Sequence, residues 1–197
     1  MRLILLLIVL TFGPGALLAA DPALKRQAMS AAMVAIRQNN FTAARFAALP
    51  AGRVAQDVVE WHRLRRGDAV FADYARFVER NPDWPGLARL REAADSALPV
   101  GGPPQQVLDW FGDRLPQTSA GLLRLIEAHR ALDEEGEAQA LAVLAWRTET
   151  LTIATEASLL QIYPRLLARH HVARLDDLLW RGEEVAARRM FPRVGPD

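Results

Sequence analysis

Arg174-Leu175-Asp176-Asp177-Leu178-Leu179-Trp180-Arg181-Gly182-Glu183-Glu184-Val185-Ala186-Ala187-Arg188-Arg189-Met190-Phe191-Pro192 is the most informative segment of the chain. It reads as an amphipathic helical hairpin. Apolar residues recur at helical spacing, Gly182 breaks the run, and two acids open a second helix that stops at Pro192. The same grammar of helix, turn and helix extends back to Asp21.

Asp21 is a suitable N-cap with Pro22 in the first turn, and this helix is expected to run to about Gln38 and stop at Asn39-Asn40. A short helix follows from Phe41 to Ala48, ended by Pro50. The next covers about Val54 to Arg66, with Val54, Val58 and Trp61 on one face and Gly67 just past its end. Asp68 is read as the cap of a helix that buries Val70, Tyr74, Phe77 and Val78.

Asn81-Pro82-Asp83-Trp84-Pro85-Gly86 is a break, with the next helix starting at Asp83 or Trp84 and running on through Leu87 to Ala97. Gly101-Gly102-Pro103-Pro104 is a loop between hairpins. In the second half, Leu122, Leu125, Ile126 and His129 fall on one helical stripe. Ala138, Leu141, Ala142 and Ala145 repeat it, as do Leu159, Ile162, Tyr163 and Leu166. Glu135-Gly136 and His170-His171 mark turns, and Pro164 should divide its helix. No segment alternates with period two. The expectation is an all-α chain of stacked helical hairpins, an α-solenoid, with a compact bundle as the alternative.

The first residues carry a positive start at Met1-Arg2, an apolar run from Leu3 to Phe12, a Gly13-Pro14-Gly15 break, and small residues before Asp21. This is the layout of a secretory signal peptide over 1–20. The apolar run is too short for a bilayer core of about 30 Å. The expected mature chain is 21–197, exported to the periplasm. Without cysteine it lacks the lipidation point of a lipoprotein, so no stable membrane anchor is expected.

The whole chain has 24 basic and 23 acidic side chains. Loss of Arg2 leaves the mature part near neutrality, which argues against a general nucleic-acid binder. The absence of cysteine excludes disulfides, thiol catalysis and cysteine metal sites. Half of the residues, 51%, are hydrophobic, enough for a substantial core.

Three segments together resemble the helical domain of soluble lytic murein transglycosylases. Trp61-x-x-Leu64-Arg65-x-Gly67 is similar to its W-x-x-L-R-x-G helix end. Asn81-Pro82-Asp83-Trp84-Pro85-Gly86, followed by Leu90-Arg91, is similar to its N-P-x-W-P segment. Leu175-Asp176-x-Leu178-Leu179-Trp180-x-Gly182, then Ala186 to Met190 and Pro192, is similar to a later hairpin.

The resemblance implies a modular periplasmic enzyme of peptidoglycan turnover. A superhelix of helical hairpins is followed in that family by a lysozyme-like domain, where one glutamate acts as acid and then base. The family places that glutamate in a Glu-Ser pair upstream of a Gly-Leu-Met-Gln segment. This chain has no Glu-Ser pair, and Gly121-Leu122-Leu123-Arg124 is not the second motif. Catalytic residues: none are carried over. The expectation is an incomplete superhelix whose contact with peptidoglycan goes through an absent catalytic domain. The alternative is a stand-alone periplasmic helical-repeat module that binds a protein.

Other polar groups have plain readings. His170 and His171 are adjacent and point about 100° apart on a helix, and His62 and His129 lack a recognised ligand partner, so metal: none. No cofactor is expected. Asp133-Glu134-Glu135 and Glu183-Glu184 fall in turns or first helical turns, where they favour the helix dipole, and Glu127 and Glu156 read as surface acids. Trp61, Trp146 and Trp180 are expected to pack between hairpins, while Trp84 and Trp110 complete the five that could stack on sugars. Arg63, Arg65, Arg66, Arg188 and Arg189 read as a solvated face paired with nearby acids, with murein-peptide carboxylates as the sharper alternative. Met190-Phe191-Pro192 is expected to leave apolar surface exposed.

Overall fold

A computed structural model describes residues 21–195. The expected signal peptide, 1–20, lies outside the described residues. Among those described there are twelve α-helices and no strand, so the fold is all-α. No helix among them is long and apolar enough to cross a membrane. The chain divides into two units, one ending at Glu60 and the other beginning at Trp61.

The first unit is built on small side chains. Helices α1 (Pro22–Arg37) and α2 (Phe41–Ala48) pack together, and a 3-10 turn, Leu49–Ala51, folds back on α1. Ala32, Ala44 and Ala48 are fully buried with Val59 from α3 (Arg53–Leu64). Alanine at these positions leaves no side chain to hold the helices apart. The caps are local: Ala23 N–H donates to the Asp21 carboxylate at 2.9 Å, and Ala43 N–H to the Asn40 side chain at 3.0 Å. Asn39 makes the turn between the two helices at φ 60°, a conformation asparagine tolerates. Val54, expected on the packed face of α3, is exposed.

The second unit runs through α4 (Phe71–Arg80), α5 (Leu87–Ser96), α6 (Pro104–Phe111), α7 (Ser119–Ala131) and α8 (Glu135–Thr148). It continues through α9 (Ile153–Ile162), α10 (Pro164–Ala168), α11 (His171–Trp180) and α12 (Glu184–Met190). Helix pairs α4–α5, α6–α7, α7–α8 and α11–α12 pack as neighbours, and α8 also meets α10 and α11.

Two cores result. One joins Leu64, Phe71, Tyr74, Phe77, Leu90 and Phe111 to Leu125 and Ala128. The other joins Leu122, Leu123 and Ile126 to Trp146, Leu159, Leu167, Leu178 and Met190. Helix α7 supplies both, which explains its apolar character around most of its circumference.

Several local expectations need correction. The cap of α4 is Val70 in extended conformation, not Asp68, and Val70 is exposed because it lies outside the helix. Helix α5 starts after Gly86, which takes φ 76°, so Asp83 and Trp84 belong to the turn. Glu135-Gly136 opens α8; the preceding turn is made by Asp133 at φ 61°. His171 is the first residue of α11, leaving only His170 in the turn. Pro164 does divide its helix, separating α9 from α10.

Candidate functional site

Among the described residues, Arg174 of α11 is fully buried at the centre of a cluster of charged side chains. Burying an arginine is costly unless its donors find acceptors; here Nη1 and Nη2 find them, while Nε has no partner among the described residues. Its Nη1 donates to the carbonyl oxygens of Trp146 at 2.6 Å and Glu149 at 3.2 Å, the C-terminal end of α8. That end carries partial negative charge, so a cation is favoured there. Its Nη2 donates to Glu156 Oε1 at 2.5 Å. The guanidinium also lies 4.5 Å from the centroid of the buried Trp146 ring.

Glu156 stands in the first turn of α9, where the helix dipole favours a carboxylate. Thr152 caps that turn, accepting from Thr155 N–H at 3.2 Å. Arg189 of α12 closes the cluster as a fork: Nε donates to Oε2 of Glu156 at 2.7 Å and Nη2 to Oε1 at 2.9 Å. Nη2 also reaches the Leu151 carbonyl at 3.4 Å. Three helices thus share one carboxylate, and the two arginines also bind the α8–α9 connection through the Glu149 and Leu151 carbonyl oxygens.

Burial alone would raise the Glu156 carboxyl, but hydrogen bonds from Arg189 and Arg174 outweigh it and hold it below its ordinary value. A general acid needs the opposite, a carboxyl held above its ordinary range by an apolar pocket. Both oxygens of Glu156 are committed to guanidinium groups. The arrangement can lock helices together; it is not set up to donate a proton. The surface reading of Glu156 is therefore corrected, as is the solvated reading of Arg189. Arg188 does fit that reading, exposed with Glu184 at 3.8 Å. Glu127 is ion-paired with Arg124.

A second buried carboxylate, Asp95, ties α5 to α6. It accepts from Trp110 Nε1 at 2.8 Å and from the Gln117 backbone N–H at 2.9 Å. Gly121 lies against it; a Cβ there would come 2.9 Å from Asp95 Cβ and 3.3 Å from Phe111 Cζ. Only glycine allows α7 to approach this closely.

The other sequence candidates scatter. Trp61 is half-buried under Arg65, with the guanidinium 4.5 Å from its ring centroid. Trp84 packs edge-on against Phe77 at 5.5 Å. Trp146 is fully buried, as expected for core packing, whereas Trp180 is 92% exposed. Arg63 pairs with Asp73 at 2.7 Å. Glu135 and Glu184 occupy first helical turns, and Glu134 contacts His129 Nδ1 at 2.7 Å. Met190, expected to be exposed, is buried; Phe191 is exposed. Among the described residues no group of three or more histidine, aspartate or glutamate side chains is placed to hold a metal.

Sequence reasoning missed the Glu156–Arg174–Arg189 cluster. One signal was available: Arg174 lies four residues before Leu178, on the buried stripe of α11, where a charge demands a partner. No family model matches the sequence, and neither a curated protein nor a solved structure is found to resemble it.

Proposed function

We propose that this chain is a non-catalytic helical scaffold, a superhelical portion of a periplasmic lytic transglycosylase that acts in peptidoglycan cleavage and turnover. The observation that carries the reading is the placement of the three family-like segments. Each falls at a helix terminus marked by a glycine in the left-handed region and by buried or packed side chains beside it. Trp61 and buried Leu64 precede Gly67 at φ 85°. Trp84 packs on Phe77 just before Gly86 at φ 76°. Leu178 is buried ahead of Gly182 at φ 73°, and Ala186, Ala187 and Met190 pack behind it. Residues that fix the angle between successive helices are what a solenoid-building segment must supply.

In this reading the helices form stacked hairpins that support a catalytic domain and restrict access to it. Contact with peptidoglycan belongs to that domain. Buried ion pairs serve the role by holding consecutive hairpins at a fixed angle.

A second reading, a stand-alone helical-repeat module for a protein partner, is favoured by the apolar surface on the α11–α12 hairpin. Trp180 is 92% exposed, and Leu179 and Val185 are exposed beside it in sequence.

Mass spectrometry on the polypeptide immunoprecipitated from a periplasmic extract separates the two. The scaffold reading expects peptides of this chain and peptides with the Glu-Ser and Gly-Leu-Met-Gln segments in one covalent polypeptide. A periplasmic polypeptide without those segments supports the module instead.

A further inference from the structure

A cleft of about 530 Å³ opens between the end of α3 and the outer face of α5 in the second unit. Arg65, Arg66 and Arg89 line it against a single acid, Glu92. All four are exposed. The three guanidinium groups form no ion pair among the described residues, unlike Arg63 next door, which is held by Asp73. Arg65 is steadied by the Trp61 ring beneath it. Exposed Ala88 and half-buried Ala93 of α5 add small apolar surface to the lining, which Gln117 completes.

The end of α3 could cancel this positive charge, because helix C-termini present free carbonyls. Here the Leu64 carbonyl oxygen is already used, accepting from Tyr74 Oη at 3.2 Å and from Gly67 N–H at 3.1 Å. Gly67 leaves that wall open: nothing lies within 4 Å of where its Cβ would be.

We propose that this cleft binds an acidic peptide segment, with two carboxylates taken by Arg65, Arg66 and Arg89 and an amino or amide group by Glu92. Guanidinium forks match carboxylates in two-point geometry. The cleft is much larger than a single tetrahedral anion needs, and the alanine surface of α5 within it suits the stems of peptide side chains. The excess of two positive charges is too small to follow a nucleic-acid backbone. The inference does not rest on the scaffold reading, since the cleft keeps its charge whatever polypeptide carries it.

Calorimetric titration of the full chain with a synthetic pentapeptide bearing two glutamates and a free N-terminus tests this. The wild-type chain is expected to bind in the millimolar range or tighter, more weakly as salt rises. The doubly substituted Arg66→Gln, Arg89→Gln chain should bind about tenfold more weakly, two exposed charge contacts together being worth about that factor. An Arg147→Gln, Arg169→Gln chain, altered at exposed arginines outside the cleft, should match the wild type. Helical circular dichroism verifies that all three are folded. The glutamine version of the peptide should not bind. Absence of saturable binding at millimolar peptide, equal binding by the Arg66→Gln, Arg89→Gln chain, or equal competition by inorganic phosphate or a single-stranded oligonucleotide would overturn the proposal.

Discussion

Arg174 lies with its guanidinium 4.5 Å from the Trp146 ring centroid and donates to the carbonyl oxygen of the same tryptophan at 2.6 Å. One side chain therefore both stacks on the core of the second unit and caps the end of α8. Glu156 holds it there from α9, and Arg189 holds Glu156 from α12. A charge in this position specifies one relative placement of those helices, since any other leaves it unpaired.

Truncating Arg174 to alanine should therefore cost about 3–5 kcal/mol, the range for breaking a buried pair from one side. It opens a cavity beside Trp146 and orphans two carbonyls. Arg188→Ala, on the exposed face, should stay within about 0.5 kcal/mol of the parent chain. Urea unfolding curves of the two variants provide the comparison, and similar midpoints would count against the lock.

Acid should weaken the second unit in two stages. His171 is kept below its ordinary value of 6.5 by burial, then by Arg193 and Arg174. Its stability contribution is complete above pH 6.5 and declines as pH falls towards the lower folded value, because only the unfolded chain takes the proton easily. Glu156 is held below 4.5 in the folded state, so its contribution is present above that pH and lost as pH falls through the folded value. Melting temperatures measured from pH 7 to pH 3 should decrease throughout. A maximum near pH 4 would contradict both assignments.

Two glycines should respond oppositely to alanine. At Gly121 the new Cβ meets Asp95 Cβ at 2.9 Å, so Gly121→Ala should destabilise by about 1–3 kcal/mol through overpacking. At Gly136, in the first turn of α8, nothing lies within 4 Å, and Gly136→Ala should stabilise by about 0.4–1 kcal/mol through the unfolded chain. Equal shifts at the two sites would mean that the close approach of α7 to α5 is wrong.

Most helices were legible because period and punctuation agree. Phe41–Ala48 sits between Asn40 and Pro50, and Pro164 separates α9 from α10 as its missing N–H requires. Starts were harder. Asp68 reads as a cap, yet the chain bends at Ala69 and the cap is extended Val70, with burial of Phe71 and Tyr74 fixing where α4 begins. The charge cluster was harder still. Arg174 and Glu156 are 18 residues apart and Glu156 and Arg189 are 33 apart, so no local pattern links them. Trp180 shows the limit of stripe reasoning: Leu178, two residues earlier in α11, is buried while Trp180 is 92% exposed, since residues two apart on a helix lie on roughly opposite faces.

That contrast has a measurable consequence. Trp146→Ala should cost about 3–5 kcal/mol, as for a large aromatic removed from a core. Trp180 is the most exposed large apolar side chain among the described residues, so the parent chain is expected to self-associate through it, and Trp180→Ala should reduce that association while leaving stability within about 0.5 kcal/mol. Sedimentation velocity of the Trp180→Ala chain against the parent would show it; unchanged association would place the sticky surface elsewhere.

Whether the proposed scaffold cuts glycan strands is decided by incubating purified residues 21–197 with murein sacculi and analysing the soluble products. No release of 1,6-anhydromuropeptides is expected, with Glu156 bound by two arginines and Glu127 paired with Arg124. Reproducible release that disappears on Glu127→Gln or Glu156→Gln would contradict it.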